Sequence, residues 1–600
     1  MKQIATRTAV IGSGCAGLNA ADWLAALGED CLLITDGFNR GTSRNTGSDK
    51  QTYYRLSLAG DDGDSVGAMA QTLKQDDVDG DIALCEAAGS AQCFFKLVQL
   101  GVPFPCNEYG EYAGYRTDHD VRTRASSAGP LTSRFMTEAL EKSALARGIT
   151  VLDHTLAFRI LTDENGVCGL LCLDTEAREW LCVRCAHVIL ATGGPAALYR
   201  DRVYPESQLG MSGMAYRAGA AGANLHCWQY GLASVKFRWN VSGSYQQAIP
   251  RYVSVDEAGV EREFLLDSLS CEDALHSVFL KGYEWPFDPR KAAGSSRVDL
   301  LVKAETDKGR RVYMDYRRNP SGFAPDALKP EAREYLERCG ATQATPIERL
   351  RAINAPAIEL YRAHGIDLET EMLEIRVCAQ HHNGGVAVDA NWQSRVPGLY
   401  VCGEAAGTFG AYRPGGTALN STQVGSMRAA RHIARQSRRE IPAALPEIAP
   451  PLLPSGNPQA LAEELQARMS RCAAFERSED GIHALLARLD EIDRAREPAA
   501  LADAQLSARL RLDDMMTTQR QVLSAMLFAL HSDDPGVVET ADGESRRRIH
   551  QMCMLYFRPL GSGREMLLLN IEQEVGQQRA GSSVEFLLGY GLGPADIRRV

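Results

Sequence analysis

The apolar residues in the first part of the chain come in short uninterrupted runs rather than in helical stripes. Thr8–Ile11 (TAVI), Cys31–Ile34 (CLLI) and the HVIL that begins at His187 are three such runs, and LYV within Arg395–Gly407 is a fourth. A run of about four residues with no polar face predicts a strand covered on both sides, as in a parallel sheet flanked by helices. Between the first two runs, LNAADWLAALG has the 3.6-residue spacing of a helix. Strand, helix and strand follow one another there as in a βαβ unit. Further on, GVCGLLCLD and REWLCVRCAHVIL flank the polar TEAR and predict a hairpin that leads into the strand at His187. After the proline-rich PEIAPPLLPSGNP the pattern changes. ALAEELQARMSRCAAFE and DDMMTTQRQVLSAMLFALH read as amphipathic helices, whose Met and Leu positions belong to a core.

The junction between the first strand and its helix is Gly12-Ser13-Gly14-Cys15-Ala16-Gly17. The first glycine permits the tight turn, the second lets a pyrophosphate approach the backbone, and the third lets helix and strand pack closely. The phosphates would then sit at the helix N-terminus. Asp36, just after the second strand, stands where an acidic residue meets ribose hydroxyls. Glycines also end the later strands, at Thr192-Gly193-Gly194 and at Gly403-Glu404. A nicotinamide dehydrogenase does not need those two segments. With the first turn they resemble the three FAD-contacting segments of the glutathione-reductase-like flavoproteins, and that resemblance makes FAD the expected cofactor.

Composition narrows the function without naming it. A formal charge of −11 in 600 residues lacks the basic footprint of a nucleic-acid binder. No stretch approaches the ~18 apolar residues of a membrane span, and the N-terminus runs straight into the glycine turn. A cytoplasmic location is therefore expected. The 16 cysteines are scattered. Cys168, Cys172, Cys182 and Cys185, with His187 nearby, fit small core residues on paired strands better than zinc-ligand spacing, and no metal is expected. Neither a haem attachment string nor an iron–sulfur cysteine run is present.

Several strings then resemble, in order, the flavoprotein subunits of succinate dehydrogenase and fumarate reductase, with L-aspartate oxidase as a relative. They are the glycine turn, QLGVPF at Gln99–Phe104, ATGG, MAYRAGA at Met214–Ala220, GLYVCGEAAG, and GAYRPGGTAL at Gly410–Leu419. The resemblance covers about residues 8–440 and implies an α/β architecture. A Rossmann-like FAD-binding domain (1–235 and 351–440) would be interrupted by an α+β capping domain (236–350) and followed by a C-terminal helical domain (450–600). Where covalent members carry Ser-His-Thr, this chain reads Ser43-Arg44-Asn45, then Thr46-Gly47-Ser48. The histidine is missing, so FAD should be noncovalent, held by this loop together with the three glycine segments and Ala418-Leu419.

In that family arginines and histidines grip the substrate carboxylates and an arginine donates the proton. Arg413 in GAYRPGG matches a carboxylate clamp, and a guanidinium fork suits a carboxylate. Gly415 and Gly416 suit a close backbone approach. Two positions depart from the pattern. The Gln-Phe-His-Pro string appears as Gln229-Tyr230-Gly231-Leu232, so one gripping histidine is Gly231. The His-Tyr-x-x-Gly-Gly string begins with Gln380, leaving His381 and His382 as site candidates. For the proton donor, the capping region offers Arg290, Arg297, Arg310 and Arg311, with Arg310 preferred because it precedes the YMDYR strand. Trp228, Tyr230, Phe237 and Trp239 either widen the pocket with aromatic walls or belong to the core.

These residues imply an FAD-dependent reductase or dehydrogenase acting on a CH–CH bond. Its substrate would be a carboxylate or enone other than fumarate, with an apolar remainder. Electrons would come from a separate donor protein or iron–sulfur subunit. An L-aspartate-oxidase-like oxidase and an electron-transfer subunit without its own substrate are the alternatives.

Overall fold

A computed structural model describes residues 2–530, apart from 61–62, 75–77, 209 and 437–438, together with the backbone of 554–560, 565–571, 573–574 and 577–578. The buried runs assemble into a five-stranded parallel sheet in the order Leu399–Val401, His187–Leu190, Thr8–Ile11, Cys31–Ile34, Thr150–Leu152. The three central strands cross the core with Val10, Leu33, Ile189 and their neighbours fully enclosed. Helices Cys15–Ala26 and Thr417–Arg435 pack together against this sheet, and Thr132–Ala146 and Gly80–Gln99 complete the layer. Asp79 caps the last of these, its carboxylate accepting from the amides of Asp81 and Ile82.

The cysteine-rich hairpin forms as its pattern requires. Gly166–Asp174 pairs with Thr155–Asp163 on one side and Glu179–Arg184 on the other, and Lys2–Ala5 closes the edge. Cys168, Cys172, Cys182 and Cys185 are all buried there, and burial pushes each thiol up. Among the described residues no group of three or more His, Cys, Asp or Glu could hold a metal, and no helix is long and apolar enough to cross a membrane.

The capping unit is built on a six-stranded sheet, order Trp239–Asn240, Trp228–Ser234, Leu373–His382, Arg311–Asp315, Arg251–Val255, Glu261–Arg262. Two of its strands, Trp228–Ser234 and Leu373–His382, lie outside residues 236–350. They belong to the stretches assigned from sequence to the cofactor domain. Their antiparallel pairing carries the chain into the cap and back out, with a register shift between Gln229 and Tyr230. The cap has its own core, around Trp239, Tyr245, Tyr316 and Tyr361.

After Asn457, whose side chain caps Pro458–Cys472, helices Glu479–Asp493 and Leu506–Leu530 complete a small bundle. The last described helix runs to Leu530. The described backbone beyond it is strand, with Met554–Leu560 pairing with Glu565–Ile571 and with Gly222–Ala223. A helical domain extending to 600 is therefore corrected over these strands. Residues 531–553, 561–564 and 579–600 of that expectation lie outside the described residues.

Candidate active site

Sheet, cap and the helix Thr417–Arg435 enclose one long cavity of about 820 Å³, within the range of cofactor and ligand pockets. Its floor is the glycine turn. Gly12 has φ +108°, and a Cβ there would lie 2.4 Å from the Ala191 carbonyl oxygen. A Cβ on Gly17 would lie 1.8 Å from the Gly12 carbonyl oxygen. Only bare backbone lets strand, turn and helix approach this closely, which leaves the N-terminus of Cys15–Ala26 open to the cavity. Gly12, Gly14, Cys15, Ala16, Asp36, Ser43, Thr46, Ser48, Thr192, Gly193, Gly403, Glu404, Ala418 and Leu419 all line it.

Four of the expected cofactor residues do not line it. Gly17 and Gly194 serve packing, against Gly12 and against the Glu404 side chain. Gly47 backs the Trp239 ring. Asn45 spends its amide on the Asn39 and Gly41 carbonyls, which fixes the loop instead. Asp36 lines the cavity but is already ion-paired with Arg40 at 2.9 Å and Arg511 at 2.7 Å.

Arg413 stands at the other end. Its Nε and Nη2 donate to Gln229 Oε1 (3.1 and 2.5 Å), its Nη1 donates to Thr417 Oγ1 (3.1 Å), and Gln229 Nε2 returns a bond to the Arg413 carbonyl (3.2 Å). Burial pushes its guanidinium down to about 10, against the opposing pull of Glu404, Tyr204, Asp118 and Glu86. It stays cationic at neutral pH. Gln229 thus aims the fork, a role the sequence did not assign.

The two histidines part company. His381 lines the cavity. Asn383 gives its amide hydrogens to the Gly410 carbonyl, so its Oδ1 is left to accept from His381 Nδ1 at 2.9 Å. That sets the tautomer, and Nε2 is a buried acceptor with no partner. Burial, reinforced by Arg413, holds this imidazole neutral. His382 does not line the cavity. It stacks on Trp228 at 4.2 Å, Nε2 donates to the Leu225 carbonyl (3.1 Å), and its amide donates to Glu404 (2.9 Å). Its place is structural, because successive side chains of a strand face opposite ways.

Arg310 is also removed from the site. Its guanidinium is bound within the cap to Ser254, Asp256, Glu305 and the Val260 carbonyl, and it is not among the cavity residues. Arg311 pairs with Glu374. Arg290 pairs with Asp288 and lies 3.5 Å over the Tyr412 ring.

The aromatic wall is real but made of other residues. Trp228, Tyr230, Phe237 and Trp239 pack in the cores and do not line the cavity, whereas Tyr115, Tyr283, Trp285 and Tyr335 do. Trp285 stands beside Gly231. A Cβ at Gly231 would lie 3.1 Å from the indole, and the indole nitrogen donates to the Leu232 carbonyl at 3.2 Å. The loop that carries it is fixed from below. Lys281, fully buried with Asp299 at 2.7 Å, also donates to the Glu284 and Trp285 carbonyls. Gln380 fills the remaining gap by donating to the Gly231 carbonyl at 3.1 Å.

Comparison with known proteins agrees with this geometry. A family described as FAD binding domain matches residues 7–419, and one described as a protein of unknown function (DUF2491) matches 536–598. An L-aspartate oxidase of Xylella fastidiosa is 28% identical over 72% of this chain and 75% of its own length. One of Mesorhizobium japonicum is 30% identical over 67% and 70%. Among solved structures, Mycobacterium smegmatis Sdh1 superposes with a TM-score of 0.74 at 19% identity, over 98% of both chains. A variant of Escherichia coli quinol fumarate reductase gives 0.71 at 17% identity, over 97% of this chain and 99% of that one.

Proposed function

The chain belongs to the FAD-binding flavoprotein family of the succinate dehydrogenase and fumarate reductase type, and we propose that it reduces an activated carbon–carbon double bond in a substrate other than fumarate. It is an FAD-dependent oxidoreductase. The glycine turn fits the cofactor, because its open helix N-terminus and Cβ-free backbone face a cavity of about 820 Å³. Noncovalent binding follows from the loop at Ser43. Arg44, in place of a histidine, pairs with Glu141 and does not line the cavity. When bound, FAD supplies a two-electron hydride exchange; the protein supplies position and charge.

The observation that carries the substrate reading is the Gly231–Trp285 contact. Where the family places a second carboxylate-gripping histidine, this chain has Gly231 with the Trp285 indole beside it. Arg413 is left to hold one carboxylate or carbonyl, and to stabilise the enolate-like charge that grows there during transfer. Lys291 also lines the cavity, but its ammonium is paired with Glu284 at 2.8 Å. At the Gly231 position a second substrate carboxylate would meet the Trp285 indole. An apolar or aromatic remainder suits Trp285, Tyr283 and Tyr335 better. The electrons would reach the flavin from a separate donor protein or iron–sulfur subunit.

The test is anaerobic. Photoreduced holoenzyme is offered fumarate, aryl acrylates, urocanate and simple enones one at a time, and the return of oxidised flavin absorbance is followed. Rapid reoxidation by an aromatic or enone acceptor, and not by fumarate, is expected. Rapid reoxidation by fumarate overturns the reading. A second reading comes from the relatives named L-aspartate oxidase. On that reading, L-aspartate bleaches the oxidised flavin anaerobically and yields peroxide in air.

A further inference from the structure

We infer that Asp118 is the proton-transfer residue of this site, giving a proton to substrate carbon in the reducing direction and taking it back in the oxidising one. The inference rests on the double-bond reading for its chemistry but not for its geometry.

Asp118 lines the cavity on the same side as Arg413. Its carboxylate lies against the loop that carries Arg413, since a Cβ on Gly415 would be 3.8 Å from Asp118 Oδ2. The segment is held in place by its neighbours. His119, at φ 60°, turns the chain, meets the Tyr412 ring edge-on at 5.5 Å and lies 3.4 Å from Arg290. Other buried carboxyls have protein partners: Glu404 accepts from Tyr204 and from the His382 amide, and Asp299 is ion-paired with Lys281. Among the described residues, nothing donates to Asp118. A carboxyl that lines the cavity and to which no described residue donates is free to exchange its proton with whatever occupies the space in front of it.

The surroundings tune it for that task. Removal from water raises its pKa to about 7, opposed by Lys291, Lys281 and Arg413 and reinforced by Glu284. His119, alongside, is pushed down to about 4 and stays neutral. Near neutrality Asp118 therefore populates both of its forms, which a guanidinium cannot do. The balance of the step is simple. Reduced FAD, when bound, would supply the hydride for one alkene carbon. The Asp118 O–H bond breaks, a C–H bond forms at the neighbouring carbon, and Asp118 is left as carboxylate. Lys291, partly exposed and paired with Glu284, connects it to solvent for re-protonation.

The first measurement does not need turnover. Infrared difference titration of the holoprotein from pH 5 to pH 9, compared with Asp118→Asn, should show a protonated-carboxyl band that is lost near pH 7 in the parent and missing in the variant. The second uses whichever substrate the parent turns over. Asp118→Asn should lower kcat by at least a hundredfold with KM changed less than threefold. Asp118→Glu should restore part of the rate, and Lys291→Met should move the Asp118-dependent limb of the pH profile to higher pH. An Asp118 band that titrates below pH 5, or an Asp118→Asn enzyme with the parental kcat and pH profile, overturns the inference. If the parent proves to oxidise an amino acid instead, the double-bond reading fails, while the same titration and rate losses still decide for or against Asp118 as the proton acceptor.

Discussion

Asp36 and Arg511 stand 475 residues apart in sequence and form an ion pair of 2.7 Å. The carboxylate ends the second strand of the cofactor sheet, and the guanidinium belongs to the last described helix, Leu506–Leu530. A carboxylate offers about four lone-pair positions. Arg511 and Arg40 thus orient Asp36 while leaving acceptor capacity for ribose hydroxyls. If Asp36 holds the ribose, the C-terminal bundle would contribute to cofactor binding through this ion pair. Arg511→Ala should raise the Kd for FAD by about two- to fivefold, the scale of a partly exposed pair. Flavin fluorescence on titration of apoprotein measures it, and an unchanged Kd would show the pair to be structural only.

Arg413 has a sharper prediction. Arg413→Ala removes a buried guanidinium lining the substrate end, and kcat/KM should fall ~10²–10³-fold, as when a preorganised charge is lost. Gln229→Leu leaves the charge but frees the fork, so it should raise KM more than it lowers kcat. Equal losses in both variants would mean that Gln229 acts on substrate directly.

The Lys281–Asp299 pair lies under the Trp285 loop with both side chains fully buried. Lys281→Ala strands a carboxylate in the cap and should cost about 3–5 kcal/mol of stability. Lys281→Met combined with Asp299→Leu should recover most of it, because the desolvation cost disappears with both charges. Chemical denaturation of the three proteins separates these outcomes.

Stability should fall as pH rises toward 8. Glu86 is pushed up to about 8 and Glu404 to about 7, each by burial. Between the ordinary carboxylate range and these values the folded state holds protons that the unfolded chain has lost. The slope of unfolding free energy with pH is therefore negative there. Urea midpoints of apoprotein from pH 5 to 9 should decline, and Glu86→Gln should flatten the decline. A midpoint that rises over this range would contradict the assignment.

Acid precipitation should leave all the flavin in the supernatant, since Arg44 faces Glu141 where covalent members have a histidine. Yellow pellet after washing would mean that another side chain forms the bond.

The cofactor end was legible in the sequence because its determinants are local. A turn from Gly12 to Gly17, a preceding apolar run and a following helical stripe are set by neighbours in the chain. The substrate end was legible only in part. Arg413 and Gly231 stood out by motif, but Arg310 was placed by its nearness to a strand, and tertiary packing gives it four partners inside the cap. The sequence leaves Trp228 and Tyr230 open between pocket wall and core, and both belong to the buried core, whereas Trp285 reaches the site from a loop 54 residues beyond Gly231. Strand alternation could have separated His381 from His382, since only one of two successive residues faces a given side. No sequence signal marks Asp118; only the fold brings it against the loop that carries Gly415 and Arg413.

The strands Trp228–Ser234 and Leu373–His382 run without interruption from the cap sheet to the cavity, and they carry Gln229, Gln380 and His381 with them. Anyone building chimaeras with a relative must therefore cut before Trp228 and after His382 rather than at the ends of the inserted segment. A transplant made there carries part of the substrate-facing surface as one cassette and leaves the glycine turn behind. Substrate choice and cofactor choice become separable traits, with Arg413 as the residue that must be matched across the seam.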